Sequence, residues 1–165
     1  MTTFGMTKNQ EIGRAVAFFL PLLLLAGAWG SQLIGHLYPC EMCHWQRWPH
    51  YAAAVIAGAS FVVPQRSVRA SLILIAALLI AVSGAIGVAH AGVEYHWWNG
   101  FTACTSNVSM VGQSAAARLD AILNAPIVRC DAAQWTLAGI SLAGFNAIFS
   151  LIGAITIFAL MRKVR

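Results

Sequence analysis

The sequence predicts an all-α membrane protein, built as one bundle of four transmembrane helices. The first observation is the composition, because 59% of the 165 residues are hydrophobic and only 9% are charged. A soluble domain of this length carries about a quarter charged residues, so this chain has too few to cover a surface in water. The second observation is four long apolar segments, since a helix needs about 20 residues to cross a bilayer. Little chain remains outside them, and residues 1–165 are therefore predicted to form a single transmembrane domain.

Each of the four spans has its own justification. The first, third and fourth segments are long enough alone. The second is short, but it gains length from residues 43–47, whose ends can lie in the headgroup region. The apolar run after Lys8 and Arg14 also resembles a signal peptide, but it is longer than a usual signal sequence, so an uncleaved first span is expected. Pro64 is expected to end the second helix. The spans are placed at residues 15–35, 45–63, 70–90 and 136–161.

The basic residues predict the orientation of the bundle. Seven of the ten lysines and arginines fall on one side of the four-span arrangement, which places that side, with both termini, in the cytoplasm. The loops at residues 36–44 and 91–135 then lie on the outer side. Because this topology signal accounts for the net charge of +5, no nucleic-acid partner is expected. The seven residues are Lys8, Arg14, Arg66, Arg69, Arg162, Lys163 and Arg165.

All four cysteines fall in the outer loops, where disulfides persist. Cys40 and Cys43 form a Cys-x-x-Cys pair, and Cys104 and Cys130 lie in the long second loop. If the second helix begins near Cys43, the helix dipole lowers the pKa of this thiol. Arg47 would then lie one turn further along the same face, unless Pro49 marks the true start of the helix.

Three interpretations of the cysteines compete. Two structural disulfides are the commonest fate of extracellular cysteines, and a zinc site would need a second ligand pair at metal spacing. A redox relay explains more, since it accounts for the Cys-x-x-Cys pair, for the second pair on a long loop and for the nearby cation. Arg47 either extends to the membrane interface or donates hydrogen bonds to a carbonyl oxygen of a lipid-soluble quinone.

Two further features of the outer side have alternative readings. His50 and His90 could ligate a haem, although histidines near an interface more often pack there, and His90 could instead line a quinone pocket. Within the long loop, Leu119, Ile122 and Leu123 have the spacing of a short amphipathic helix on the membrane surface.

With these motifs in place, the chain resembles the DsbB family of bacterial inner-membrane disulfide bond formation proteins. The resemblance rests on four spans, on Cys-x-x-Cys-x-x-x-Arg at Cys40, Cys43 and Arg47, and on the loop cysteines Cys104 and Cys130. The segments "HAGVEYHWW" and "CDAAQWTLAGISLAGFNAIFS" also look like proteobacterial members of the family. The resemblance covers nearly the whole chain, and it implies a bacterial inner membrane protein with its active cysteines in the periplasm.

The resemblance further implies a quinone-dependent thiol oxidase. A reduced periplasmic partner of the DsbA type would attack Cys104, Cys130 would pair with Cys40, and Cys43 would be left as a thiolate facing ubiquinone or menaquinone. Arg47 would assist at the quinone, and His90 is assigned a quinone contact. The competing hypothesis is a non-catalytic membrane protein whose loops are held by two structural disulfides.

Overall fold

The computed structural model describes residues 5–99, 114–116, 119 and 129–162. Within these ranges the chain is helical apart from one small hairpin, as the predicted fold class requires. The elements are α1 (Lys8–Leu33), α2 (Glu41–Ala59), α3 (Arg66–Glu94), β1 (Thr136–Leu137), β2 (Ile140–Ser141) and α4 (Leu142–Met161). Cys104 and the predicted amphipathic helix, except for parts of 114–119, lie outside the described residues.

Three of the helices, α1, α3 and α4, are long and apolar enough to cross a membrane. The 19-residue helix α2 is not among them, because its first half is polar. Those polar residues face the other helices: Gln46, Arg47 and His50 are buried, whereas the apolar Val55 on the outside of α2 is 73% exposed.

Close contact between α3 and α4 organises the bundle. A Cβ atom on Gly87 of α3 would lie 3.0 Å from the backbone nitrogen of Ala147 and 3.1 Å from the carbonyl oxygen of Ala143. Small residues at such positions let two helix backbones approach each other. The core then continues into α1 and α2 through Ala17, Ala53, Ala57, Ile73, Ala76, Ala77, Ile80, Ala154, Ile157 and Met161.

The ends of α2 differ from the sequence-based placement. The helix begins at Glu41 with Cys40 as its N-cap, and Pro49 lies inside it rather than at its start. At the other end the helix stops at Ala59, and a turn precedes Pro64. Arg47 therefore does lie one helical turn beyond Cys43.

The fourth helix begins later than residue 136, because a hairpin occupies Thr136–Ser141. Its two turn residues, Ala138 and Gly139, have φ angles of 52° and 78°, as a two-residue hairpin turn of type I′ requires. Tyr95, just after α3, secures the hairpin, since its hydroxyl donates to the Gly139 carbonyl and accepts from the Ser141 N–H.

Candidate functional site

The Cys-x-x-Cys pair lies at the start of α2. Cys40 caps the helix, because its sulfur accepts a hydrogen bond from the Cys43 backbone N–H at 3.3 Å. The two sulfur atoms are 2.9 Å apart, and both residues are free thiols. The hydrogen bond from the Cys40 side chain lowers the pKa of Cys43, whereas that shared bond and burial raise the pKa of Cys40.

Cys130 lies directly beside this pair. The Cys40 sulfur, the Cys130 sulfur and a ring nitrogen of His90 all lie within 4.8 Å of one another. Cys130 is buried against Cys40, Met42 and Val93, and it is disulfide-bonded. The segment that carries it is held in place by the Gln134 side chain, which donates to the Tyr38 carbonyl at 2.6 Å. The two loops therefore meet at Cys40.

His90 of α3 lies close to Cys40. Its Nε2 atom lies 3.5 Å from the Cys40 sulfur, and its Nδ1 atom lies 2.8 Å from the amide nitrogen of Gln46. The same Gln46 nitrogen donates to the Met42 carbonyl, so the amide must point its N–H groups toward the histidine. His90 Nδ1 is therefore an acceptor, and Nε2 carries the proton toward Cys40.

Asn146 of α4 continues this hydrogen-bond network. Its amide nitrogen donates to the Gln46 side-chain oxygen at 2.8 Å and to the Ser83 carbonyl at 3.2 Å. Its side-chain oxygen consequently faces His50 Nε2 at 2.9 Å and accepts from Ser150 at 3.1 Å. Gln46 and Asn146 thus join α2, α3 and α4 in one chain of hydrogen bonds.

One nitrogen in this network has no partner. Because the Asn146 oxygen can only accept, His50 Nε2 must donate, and His50 Nδ1 is left as a lone pair. The Ser83 hydroxyl also lies 2.9 Å from Nε2, and it donates its own proton to the Gln46 carbonyl. Among the described residues, no group within hydrogen-bonding distance meets Nδ1, although His50 is 97% buried.

The grouping of Cys40, Cys130 and His90 has the composition of a metal site, but its hydrogen bonds do not suit one. A metal ligand needs a free lone pair, and a ligating histidine donates its other N–H to an acceptor. Here Gln46 offers an N–H to Nδ1, so the proton lies on the Nε2 atom that faces the sulfur. Binding a metal through Nε2 would require the Gln46 and Asn146 amides to reverse.

Arg47 is buried and tethered to α1. Its guanidinium donates to the Gln32 side-chain oxygen at 2.8 Å and to the Ala28 carbonyl at 3.1 Å, and it lies 5.3 Å from the centre of the Trp29 ring. Among the described residues no carboxylate forms an ion pair with it. A buried cation without a carboxylate favours negative charge on anything bound nearby.

A largely apolar cavity of about 400 Å³ adjoins all of these groups. It opens between α1, α2 and α4 and reaches the end of α3. This volume lies in the usual range for sites that hold a small organic molecule, in which a few polar groups orient the ligand among apolar walls. Its polar lining includes Cys40, Cys43, Gln46, Arg47, His50, His90, Glu94, Arg129 and Asn146, and its apolar lining includes Leu24, Trp135, Phe145 and Phe149.

The chain matches a known protein family over most of its length. The model of the family described as disulfide bond formation protein DsbB matches residues 10–160. The chain belongs to the DsbB family. Membership confirms the predicted resemblance and identifies a membrane protein of disulfide bond formation, with disulfide oxidoreductase activity suggested by the family. No curated protein and no solved structure matches the chain.

Several polar residues of this DsbB-family site are not among the sequence-predicted site residues. Gln46, Ser83 and Asn146 were not singled out for a role in the site, and His50 was considered only as a haem ligand. One signal was available, because Asn146 is a polar residue in the middle of an apolar span, and such residues usually face the bundle interior.

Proposed function

We propose that the protein is a membrane thiol oxidase that reoxidises a periplasmic dithiol protein of the DsbA type. Two electrons would pass through its two cysteine pairs to a membrane quinone, either ubiquinone or menaquinone. The observation that carries this proposal is the position of Cys40, whose sulfur lies 2.9 Å from Cys43 and within 4.8 Å of the Cys130 sulfur. One sulfur atom can therefore exchange with both neighbours.

The first half of the reaction consists of two exchanges. A thiolate of the partner attacks Cys104 of a Cys104–Cys130 disulfide, and the bonding electron pair leaves on Cys130. The Cys130 thiolate then attacks Cys40 of a Cys40–Cys43 disulfide, forming Cys40–Cys130 and releasing the electron pair on Cys43. The positive end of the α2 dipole and the cation of Arg47 stabilise the Cys43 thiolate that leaves in this step.

The second half releases the oxidised partner. Its second thiolate attacks the mixed disulfide and frees Cys104, which attacks Cys130 and expels Cys40 as a thiolate. The partner has then lost two electrons and gained a disulfide, and Cys40 and Cys43 hold those electrons as thiols. His90 assists the expulsion, because its Nε2–H faces the Cys40 sulfur at 3.5 Å and stabilises negative charge there.

The cavity has the properties that a quinone ring requires. Its walls are mainly apolar, Cys43 lines it, and Arg47 offers a buried cation without a carboxylate partner. A bound quinone supplies an acceptor for two electrons and two protons, so that Cys40 and Cys43 can re-form their disulfide. Arg47 would hold the ring by donating to one of its oxygens, and Cys43 would face it. His90, which was expected to contact the quinone, lines the same cavity and also lies 3.5 Å from the Cys40 sulfur.

The placement in a membrane supports the same function. A helix of 19 residues rises roughly 28 Å, close to the thickness of the hydrocarbon core, and we include α2 as the fourth span. Its outward side chains Trp48 and Val55 are at least 70% exposed and apolar. With both termini in the cytoplasm, the cysteines would lie at the periplasmic edge, between a donor in water and an acceptor in lipid.

The deciding experiment follows quinone absorbance anaerobically in detergent, with a reduced DsbA-type protein as the electron donor. We expect the intact chain to reduce the quinone and the Cys43→Ser variant to show only the rate measured without enzyme. Cys104→Ser serves as the matched control. It should lose reduction driven by the protein donor but keep reduction driven by a small dithiol, which reaches Cys40 and Cys43 directly.

The competing hypothesis of two structural disulfides predicts another result. Structural disulfides do not exchange with a partner, so the intact chain would leave the quinone oxidised while a competent oxidase in the same assay reduces it. Quinone reduction that persists in Cys43→Ser would also contradict the proposed path.

A further inference from the structure

We propose that His50 Nδ1 is the hydrogen-bond acceptor for a hydroxyl group of the molecule in the cavity, and that it recognises the reduced, hydroquinone form of the electron acceptor. This inference rests on the proposed function. It adds a residue that distinguishes the two redox forms of the ligand. Arg47 cannot do this by accepting a hydroxyl proton, because a guanidinium only donates.

The unpartnered nitrogen carries the argument. His50 lines the cavity and is 97% buried, and its Nδ1 has no partner among the described residues. Buried polar atoms are nearly always hydrogen-bonded, and leaving one unsatisfied is costly. Within the part of the chain that the structure describes, His50 Nδ1 is thus a buried acceptor that still lacks a donor.

The surrounding network determines which chemistry fits. Asn146 cannot reverse its amide, because its nitrogen donates to the Ser83 carbonyl and to Gln46. His50 Nε2 must therefore donate, and Nδ1 must accept. A quinone carbonyl has only lone pairs and would be repelled by this nitrogen, whereas the hydroxyl of a hydroquinone donates to it.

Position along α2 brings this nitrogen to the same ligand as the cysteines. His50 follows Cys43 by seven residues, two helical turns on the same face and roughly 10 Å along the axis. Both residues line the one cavity, and Arg47 lies between them in sequence. A hydrogen bond that forms only when the ligand oxygen gains a proton favours the reduced state over the oxidised one.

The test measures binding of a short-chain quinone and of its hydroquinone, separately, to the fully oxidised chain in detergent without oxygen. Quenching of tryptophan fluorescence reports binding, since Trp135 lines the cavity. The variant is His50→Gln, which keeps an N–H donor for Asn146 and removes Nδ1. Ser150→Ala is the control, because it removes a hydrogen bond to the Asn146 oxygen and a 3.4 Å contact with His50 Nε2 but leaves Nδ1 unchanged. Thermal unfolding establishes that both variants are folded.

We expect His50→Gln to weaken hydroquinone binding roughly two- to tenfold, the effect of one hydrogen bond, with quinone binding unchanged. Ser150→Ala should leave the ratio of the two dissociation constants as it is in the original chain. Equal affinities of His50→Gln and the original chain for hydroquinone would overturn the inference and leave the proposed function intact; a buried water on Nδ1 would give this result. Failure of the original chain to bind either form would overturn the quinone site itself.

Discussion

Two cysteines separated by two residues acquire different chemistry from their immediate surroundings. Cys40 is buried and directs its proton to Cys43, which raises the pKa of Cys40 and lowers that of Cys43. Cys43 also has the larger exposure and faces the cavity. These opposite shifts fit the proposed roles, in which Cys40 exchanges with Cys130 and Cys43 passes electrons to a molecule in the cavity.

The order of ionisation can be tested by alkylation of the reduced chain with iodoacetamide. Because its pKa is lowered, Cys43 keeps its thiolate to lower pH and should be modified before Cys40. Cys40→Ala removes the hydrogen bond that lowers the pKa, so the pH of half-maximal Cys43 alkylation should rise. Peptide mass spectrometry measures both.

Cys40→Ser provides the control for this shift, since its hydroxyl can still donate to Cys43 and cap the helix. We expect its alkylation profile to stay closer to that of the original chain than the alanine profile does. The same profile in all three proteins would contradict the assigned cause.

Asn146 should contribute to stability far more than its single side chain suggests. Asn146→Leu leaves the Gln46 oxygen without its donor in the bundle interior and removes one acceptor of His50 Nε2, which keeps Ser83. An unsatisfied buried group costs about 1–3 kcal/mol. Thermal unfolding in detergent measures the loss. Thr156→Val on the same helix is the control, because Thr156 is exposed and bonds only to the Ile152 carbonyl; an equal loss in both variants would argue against the network.

The pairing of α3 with α4 depends on the absence of side chains at their contact. Gly84 and Gly87 of α3 allow this close packing, since a Cβ on Gly84 would lie 2.9 Å from the Leu151 Cγ atom. This contact also brings Asn146 to Ser83 and Gln46. Close approach of the two backbones is therefore a condition for the polar network as well as for the bundle.

Gly87→Ala should separate these helices and destabilise the bundle by about 1–3 kcal/mol, since the new methyl group meets backbone atoms that cannot move independently. Gly30→Ala in α1 is the matched control, because a Cβ there meets nothing within 4 Å. Replacing that helical glycine should be neutral or slightly stabilising. Similar unfolding temperatures for the two variants would contradict the close contact.

Helix α2 buries the polar residues Gln46, Arg47 and His50 inside the bundle, while its apolar residues Trp48 and Val55 are exposed on the outside. Buried Gln46, Arg47 and His50 interact with α1, α3 and α4. Such an arrangement suits a helix with hydrocarbon on its outer face. It also explains why apolar composition identifies only the other three helices as candidate spans.

The orientation of the bundle can be tested with single cysteines in a chain whose own four cysteines are replaced by serine. If α2 crosses the membrane, Ser67→Cys in the first turn of α3 lies in the cytoplasm and Thr136→Cys lies in the periplasm; both positions are exposed. A membrane-impermeant maleimide should label Thr136→Cys in intact cells and Ser67→Cys only after permeabilisation. Labelling of both from outside would contradict the four-span topology.

Local sequence patterns were sufficient for the class of the fold and for the membership in the DsbB family. Apolar segments of membrane length, and cysteines at a characteristic spacing with Arg47 one turn beyond, are properties of neighbouring residues, so no tertiary information was needed. The predicted start of the fourth helix was wrong, because Ala138 and Gly139 form a tight turn instead. Tyr95 stabilises this turn by donating to the Gly139 carbonyl, and the two residues are 44 positions apart in the sequence.

The remaining features depend on contacts between distant segments. The approach of Cys130 to Cys40 requires the Gln134–Tyr38 hydrogen bond, which joins residues 96 positions apart. The proton on His90 Nε2 and the lone pair on His50 Nδ1 follow from Gln46 and Asn146, which lie 100 positions apart. Residue types and spacing reveal which groups can transfer electrons, but which atom donates or accepts a proton depends on partners that only the packed helices bring together.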